Sequence, residues 1–433
     1  MLLLAAALLA HPSPLAADDW PAWRGPDGTG VARGRVPTTW SDEENVAWKV
    51  AVPGRGFSTP IVRGGRIFLT TAVSLEEAPE PEEPEEQEGR RGFRPPTPVK
   101  SDFVVMALDL AGGGEVWRRT VRTATPHEGY HRTYGSHASI SPVTDGKRLY
   151  ASFGSFGVYA LNPDDGRVLW ERDLGVQMQM RRSFGEGSAP VLAGDHLVHV
   201  FDQELDSFVV ALDRATGEVR WRAERDEPST WAMPLVTEVE GRTLVICSGT
   251  NRVRAYDATD GEVVWECGGL GLNAIPAVLR HGDDVLAMTG YRDPKLMAIR
   301  LGGAGDLTGT EAVRWETTRG TAYTASPVLH GGLLYAALDR GFLSCWDAAT
   351  GEAHYVEERL PRGSALKASP IAAGGLLYVP TESGDVHLVR MGPAYEAVAT
   401  NTLTDQFFVA SPVAVDGRLL LRSETHLFCI AEE

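Results

Sequence analysis

The sequence predicts an all-β fold, an eight-bladed β-propeller of four-stranded blades whose ring is closed by an N-terminal strand. Three observations carry that expectation. A Pro-marked strand start recurs eight times, at Pro60, Pro142, Pro190, Pro234, Pro276, Pro327, Pro370 and Pro412. Between these starts a turn-and-strand phrase ending in Trp recurs. The eighth copy stops before its last strand, and a spare strand stands near the N-terminus.

The composition suits such a ring. In 433 residues, 11 Trp, 13 Phe and 11 Tyr supply core, while 47 Gly and 27 Pro punctuate many short elements, which favours strands over helices. Proline is tolerated at a strand start, where its missing N–H breaks no central ladder bond. Each start is followed by a turn containing Gly65, Gly146, Gly194, Gly241, Gly282, Gly332, Gly375 or Gly417, then by an apolar strand such as Leu149-Tyr150 or Leu334-Tyr335.

The second half of the repeat is clearest in A-L-D-R-A-T-G-E-V-R-W, residues 211–221, with relatives at 107–117, 160–170 and 255–265 and a weaker copy at 345–355 ending in Tyr355. Val209, Ala211 and Asp213 alternate as a strand does. Asp-x-x-Thr-Gly then makes a hairpin turn, because Asp accepts local backbone N–H bonds and Gly supplies positive φ. Trp48, Trp117, Trp170, Trp221, Trp265 and Trp315 are expected to pack between blades. Burying roughly 200 Å² of each at about 25 cal/mol/Å² stabilises by at most about 5 kcal/mol.

Outer strands end at Trp117, Trp170, Trp221, Trp265, Trp315 and Tyr355, with a degenerate seventh at residues 394–399. The eighth unit ends at residues 427–430 without one, and residues 45–49 carry the missing strand with Trp48. Adding that strand to the last blade removes an open edge. A linear solenoid would instead leave both ends unpaired.

The remaining segments complete the domain reading. Residues 1–17 read as an export signal, with an apolar run too short to span a bilayer, then Pro12, Pro14 and small residues. No cysteine follows that would carry a lipid, so a soluble periplasmic or extracellular protein is expected, without a transmembrane span. Residues 18–44 form an N-terminal segment and 45–433 a single propeller domain, interrupted at 72–102 by an acidic, Pro-rich insertion expected to be a disordered surface loop. The formal net charge of −17 disfavours nucleic acid as a partner. Cys247, Cys267, Cys345 and Cys429 lack metal or disulfide spacing and read as buried small hydrophobes. A monomer is expected.

The phrase A-x-D-x-x-T-G-x-x-x-W resembles the tryptophan-docking repeat of the pyrroloquinoline quinone (PQQ)-type propellers, and the resemblance covers nearly everything after residue 45. It implies the propeller fold and two branches of function. Quinoprotein dehydrogenases hold the quinone and calcium at the centre of the ring, whereas BamB-type scaffolds of outer-membrane barrel assembly hold no cofactor. The dehydrogenase branch typically carries adjacent cysteines and often a C-x-x-C-H haem site; this chain has neither. Residues 18–30, with Trp20, Trp23, Arg24 and Gly25, also resemble the opening of exported bacterial propellers common in planctomycete-type genomes. The expected function is therefore an exported, non-enzymatic binding or assembly scaffold of the cell envelope, with no cofactor and no catalytic residue. The alternative is a PQQ- and calcium-dependent oxidoreductase with an unorthodox site.

Candidate binding residues follow from propeller geometry, since the loops leading into the innermost strands ring one mouth of the channel. Three positions before each Pro stand Phe57, Ser139, Gly187, Trp231, Asn273, Thr324, Lys367 and Val409, varied residues on a frame of small ones. With His131, Tyr134, His137, Arg182 and Tyr323 these make a rim for a protein or small-molecule partner; mere capping of the channel is the other reading. His127, His131 and His137 with Glu128 would suit a transition metal by residue type, although their spacing matches no established motif and no metal is expected. Arg181 and Arg182 would clamp an anion or make surface salt bridges. Asp202, Glu204 and Asp206 form either an oxygen-ligand set for calcium or an acidic hairpin.

Overall fold

The computed structural model describes residues 19–77, 94–363 and 365–432. The expected export signal at 1–17 and most of the acidic insertion, residues 78–93, lie outside them.

Eight antiparallel sheets stand around one axis, and each begins with a short strand at the channel. Blade 1 contains Ile61–Arg63, Arg66–Ser74, Ser101–Asp109 and Glu115–Ala124; blade 3 contains Val191–Ala193, His196–Phe201, Ser207–Asp213 and Val219–Arg225. Blades 2 and 4–7 repeat the plan from Val143, Leu235, Leu279, Val328 and Ile371. Blade 8 has three strands of its own, Val413–Val415, Arg418–Arg422 and His426–Ile430. Its fourth is Val46–Ala51, antiparallel with Trp48 opposite Cys429 and Ala51 opposite His426. The expected closure by the N-terminal strand is therefore present.

The indoles of the outer strands reach across to the next blade. Trp221 lies against Gly261 in the following hairpin turn, where a Cβ would sit 2.5 Å from the ring, and its Nε1 donates to the Ala258 carbonyl at 2.9 Å. Gly261 has φ +78, so both backbone conformation and ring contact demand glycine there. Trp48, Trp117, Trp170 and Trp315 meet Gly113, Gly166, Gly217 and Gly351 in the same way. Trp265 departs from the pattern because blade 5 replaces that turn with a longer segment. A two-residue strand, Gly305–Asp306, runs parallel to the Trp265 strand and covers its edge.

The insertion is shorter than residues 72–102. Arg66–Ser74 and Ser101–Asp109 pair in continuous register from Arg66↔Asp109 to Ser74↔Ser101, so Ala72–Ser74 and Ser101–Asp102 belong to the ladder. Burial of Ala72 and Phe103 beside the next blade extends those strands past the expected limits.

All four cysteines are buried and free. Among the described residues no helix is long and apolar enough to cross a membrane.

Candidate functional site

The channel is closed at one end by residues 20–24, which meet all eight blades. Trp20 exchanges backbone bonds with Val62 of blade 1, and the Pro21 carbonyl accepts from Thr144 of blade 2. Trp23 packs on Ala189, Met233 and Ala277 at the strand starts of blades 3, 4 and 5. Its Nε1 donates to Ser411 Oγ of blade 8 at 3.3 Å. Arg24, fully buried, donates to the carbonyls of Pro327 (3.1 Å) and Pro370 (2.9 Å) in blades 6 and 7. Burial without a carboxylate partner pulls its guanidinium down to about 9. Gly30, at φ +76, lies so close to the guanidinium that a Cβ would fall 2.0 Å from it. The segment then leaves along blade 7, bonding to Ala372 and Gly374, before becoming the closing strand.

Above this plug the channel opens into a cup of about 430 Å³, within the range of small-molecule sites. Trp23 lines its base; Phe57, Phe184, Trp231, Tyr134, Tyr291 and Tyr323 are among its walls. Tyr291 stacks on Tyr323 with centroids 5.0 Å apart, and His131 on Tyr134 at 4.7 Å. Lys367 Nζ is 2.7 Å from Asp339 Oδ2, 3.9 Å from Glu382 Oε1 and 4.8 Å from the Tyr134 ring centroid. Asp339 also accepts from the Thr324 amide and hydroxyl, each at 3.0 Å. One ammonium at the wall is thus shared between two carboxylates.

Six of the nine rim candidates, Phe57, His131, Tyr134, Trp231, Tyr323 and Lys367, line this one cup. Asn273 is buried beside it and donates to the Tyr323 hydroxyl at 3.1 Å. Arg182 stands exposed outside the cup on a turn with φ 52. The surface salt bridges expected of Arg181 and Arg182 do not form among the described residues; an irregular turn holds this pair with no carboxylate in range. Sequence reasoning passed over Trp23, Phe184 and Tyr291. Trp23 was visible only as part of a resemblance, and Phe184 and Tyr291 carry no repeat position.

His137 lies instead at a small void under the rim, with His127, Glu128 and Glu186. His137 meets Tyr130 edge-on at 4.8 Å, and burial, aided by the nearby His127, lowers its imidazole to about 4. His127 Nε2 is 2.7 Å from the Met178 carbonyl. With His131 stacked on the cup side, the three histidines do not converge, and the described residues contain no metal-competent cluster of three such ligands. The calcium alternative at 202–206 is also excluded by geometry. Asp202 is clamped by Arg225 at 2.7 and 3.0 Å and by Thr230 at 2.6 Å, while Glu204 accepts from Ser229 at 2.8 Å.

Glu186 turns its carboxylate onto the Ser155 amide at 2.7 Å, and burial pushes it up to about 7. A carboxyl raised in the folded state stabilises fully below its unfolded value near 4.5, and that contribution is lost as pH rises through about 7. The shift corresponds to about 3 kcal/mol. Thermal unfolding between pH 5 and 8 is therefore expected to show a stability loss that Glu186→Gln flattens; parallel profiles for both proteins would refute the assignment.

Comparison with known proteins follows the same lines. Residues 101–354 match the family described as "Outer membrane protein assembly factor BamB". The protein of that name from Bordetella pertussis is 27% identical over 235 residues, 50% of this chain and 54% of its own. The one from Alteromonas naphthalenivorans is 27% identical over 235 residues, 51% and 55% of the two chains. The chain thus spans about half the length of the curated relatives it matches. Among solved structures, BamB from Moraxella catarrhalis aligns with TM-score 0.55 at 15% identity, covering 76% of this chain and 89% of its own. Quinohemoprotein alcohol dehydrogenase from Comamonas testosteroni aligns with TM-score 0.63 at 12% identity, covering 96% and 81%. At such identities these structures share the fold alone.

Proposed function

Because the chain belongs to the outer membrane protein assembly factor BamB family, we propose that it is an exported, non-enzymatic scaffold of the cell envelope that holds a protein partner on its aromatic rim. The observation that carries this reading is the convergence of Phe57, Tyr134, Trp231, Tyr323 and Lys367, from five separate connecting loops, on one cup. Aromatic anchors in a recess, bordered by paired charges, are what a protein interface concentrates its binding energy on. Exposed Leu205 and Tyr291 at hairpin tips on the same face extend the apolar area. The chain acts as a monomeric platform in this reading, with its export directed by residues 1–17.

Quinone chemistry lacks comparable support. Of the acidic groups at the cup, Asp339 and Glu382 already enclose the Lys367 ammonium and Glu186 accepts from the Ser155 amide, and the cysteines stand free in their strands. That donor set does not fit a calcium-held quinone.

Capture of a partner from a cell-envelope extract tests the scaffold reading. Joint alanine substitution at Trp231, Tyr323 and Lys367 is expected to reduce capture by at least about tenfold, the loss of one interface anchor or more. Undiminished capture by the triple variant would remove the rim from the account.

A further inference from the structure

The base of the cup is built from a belt of hydroxyls, one step before the strand-start prolines. The Ala277 amide donates to Ser326 Oγ, the Ser326 amide to Ser369 Oγ, and the Ser369 amide to Ser411 Oγ, at 2.8, 2.8 and 3.2 Å. The Ser411 amide donates to Thr59 Oγ1 at 3.0 Å and the Thr59 amide to Ser141 Oγ at 2.9 Å. The belt thus runs from blade 5 through blades 6, 7, 8 and 1 to blade 2. On the other arc Ala189, Met233 and Ile275 replace the hydroxyls.

Every belt oxygen is an acceptor for a neighbouring blade, which fixes its position. Each hydroxyl retains one hydrogen to donate, and among the described residues none of the five donates it in a hydrogen bond. All five are buried, where an unused donor is costly. Four of them, Thr59, Ser141, Ser369 and Ser411, line the cup. Beneath the same arc lies the Arg24 guanidinium, held by two carbonyls and no carboxylate. The acidic groups nearest the cup are engaged elsewhere: Asp339 and Glu382 by Lys367, Glu186 by Ser155.

We propose that the cup base is a carboxylate-binding site, in which Thr59, Ser141, Ser369 and Ser411 donate to a carboxylate whose apolar body lies over Trp23 and Ile275. An ionised carboxylate only accepts, offering about four lone-pair sites, and its negative charge is favoured by the Arg24 guanidinium below, which has no carboxylate partner. The source is either a free organic acid or the C-terminus of a peptide, and the chemistry is the same. The inference is independent of partner capture on the rim, since it is read with purified protein and small probes.

Titration calorimetry and tryptophan fluorescence with 4-methylpentanoate and its isosteric amide, and with a leucine-terminated peptide as free acid and as C-terminal amide, test it. At least one acid is expected to bind at least about tenfold more tightly than its amide, a difference of about 1.4 kcal/mol. The acid that binds identifies the source. Ser369→Ala and Ser411→Ala are expected to abolish the preference, whereas Ser326→Ala, which interrupts the same belt away from the cup, keeps it. Equal binding of acid and amide, no binding of either acid at millimolar concentration, or equal loss in Ser326→Ala would overturn the proposal.

Discussion

Replacing Trp221 with alanine is expected to lower the stability of the folded ring by about 3–5 kcal/mol, the range for deleting a buried large aromatic side chain. The residue is 7% exposed, its ring fills the space over Gly261, and its Nε1 satisfies the Ala258 carbonyl. Removal opens a cavity between blades 3 and 4 and takes one of two partners from that carbonyl, which the His196 ring also contacts at 2.8 Å. The effect is read as a shift of the urea midpoint at unchanged slope. Val219→Ala, two residues earlier on the same strand and 47% exposed, is the control and is expected to change little. Equal midpoints for Trp221→Ala and the native chain would contradict the inter-blade role.

Arg225→Met is expected to cost about 3–5 kcal/mol for a different reason, the cost of leaving a buried charge uncompensated. The Arg225 and Asp202 side chains are both 0% exposed. Burial lowers the guanidinium, but the Asp202 carboxylate together with the Tyr256 and Cys247 groups outweighs it and raises the guanidinium well above its ordinary value. The Tyr256 hydroxyl and Ser248 carbonyl also accept from this guanidinium, at 2.9 and 3.3 Å. Replacing both partners, as Asp202→Asn with Arg225→Met, is expected to recover part of the loss, and a double-mutant cycle measures the coupling. Additive losses would show that the two groups act separately.

The ring was readable from sequence because its parts repeat. Eight prolines gave the phase, and Asp213 and Gly217, with their counterparts, marked the outer hairpins. The missing strand of blade 8 was recognisable only because seven complete copies showed what it lacked. Residues 20–34 offered no such handle. Trp20-Pro21-Ala22-Trp23-Arg24 has no strand alternation, and its bonding partners lie on eight different blades. A segment stabilised by long-range backbone pairing, buried indoles and the Arg24 guanidinium leaves little local pattern.

The cup shows the same division. Phe57, Trp231 and Lys367 were found by position relative to the prolines, a rule that propeller geometry justifies. The belt hydroxyls stood one residue before those prolines as Thr59, Ser141, Ser326, Ser369 and Ser411, but their hydrogen bonds run between blades and required the closed ring. His137 and Arg182 were assigned to the rim because they lie in the loops leading to the strand starts of blades 2 and 3, but His137 packs against Tyr130 beneath the rim and Arg182 stands on an exposed turn outside the cup. The acidic hairpin at 202–206 shows why composition misleads: Asp202 is there to neutralise Arg225.

In the scaffold reading the partner sits at the cup end of the channel and on no other surface. Photo-crosslinking from Tyr291 at the cup mouth and from Val263 on the outer strand of blade 4 distinguishes the two surfaces, since the two residues are comparably exposed at 43% and 49%. With a partner captured from the envelope, the probe at Tyr291 is expected to yield the cross-linked partner and the probe at Val263 to yield none. Cross-linking from Val263 alone would place the partner on the outer wall and contradict the account.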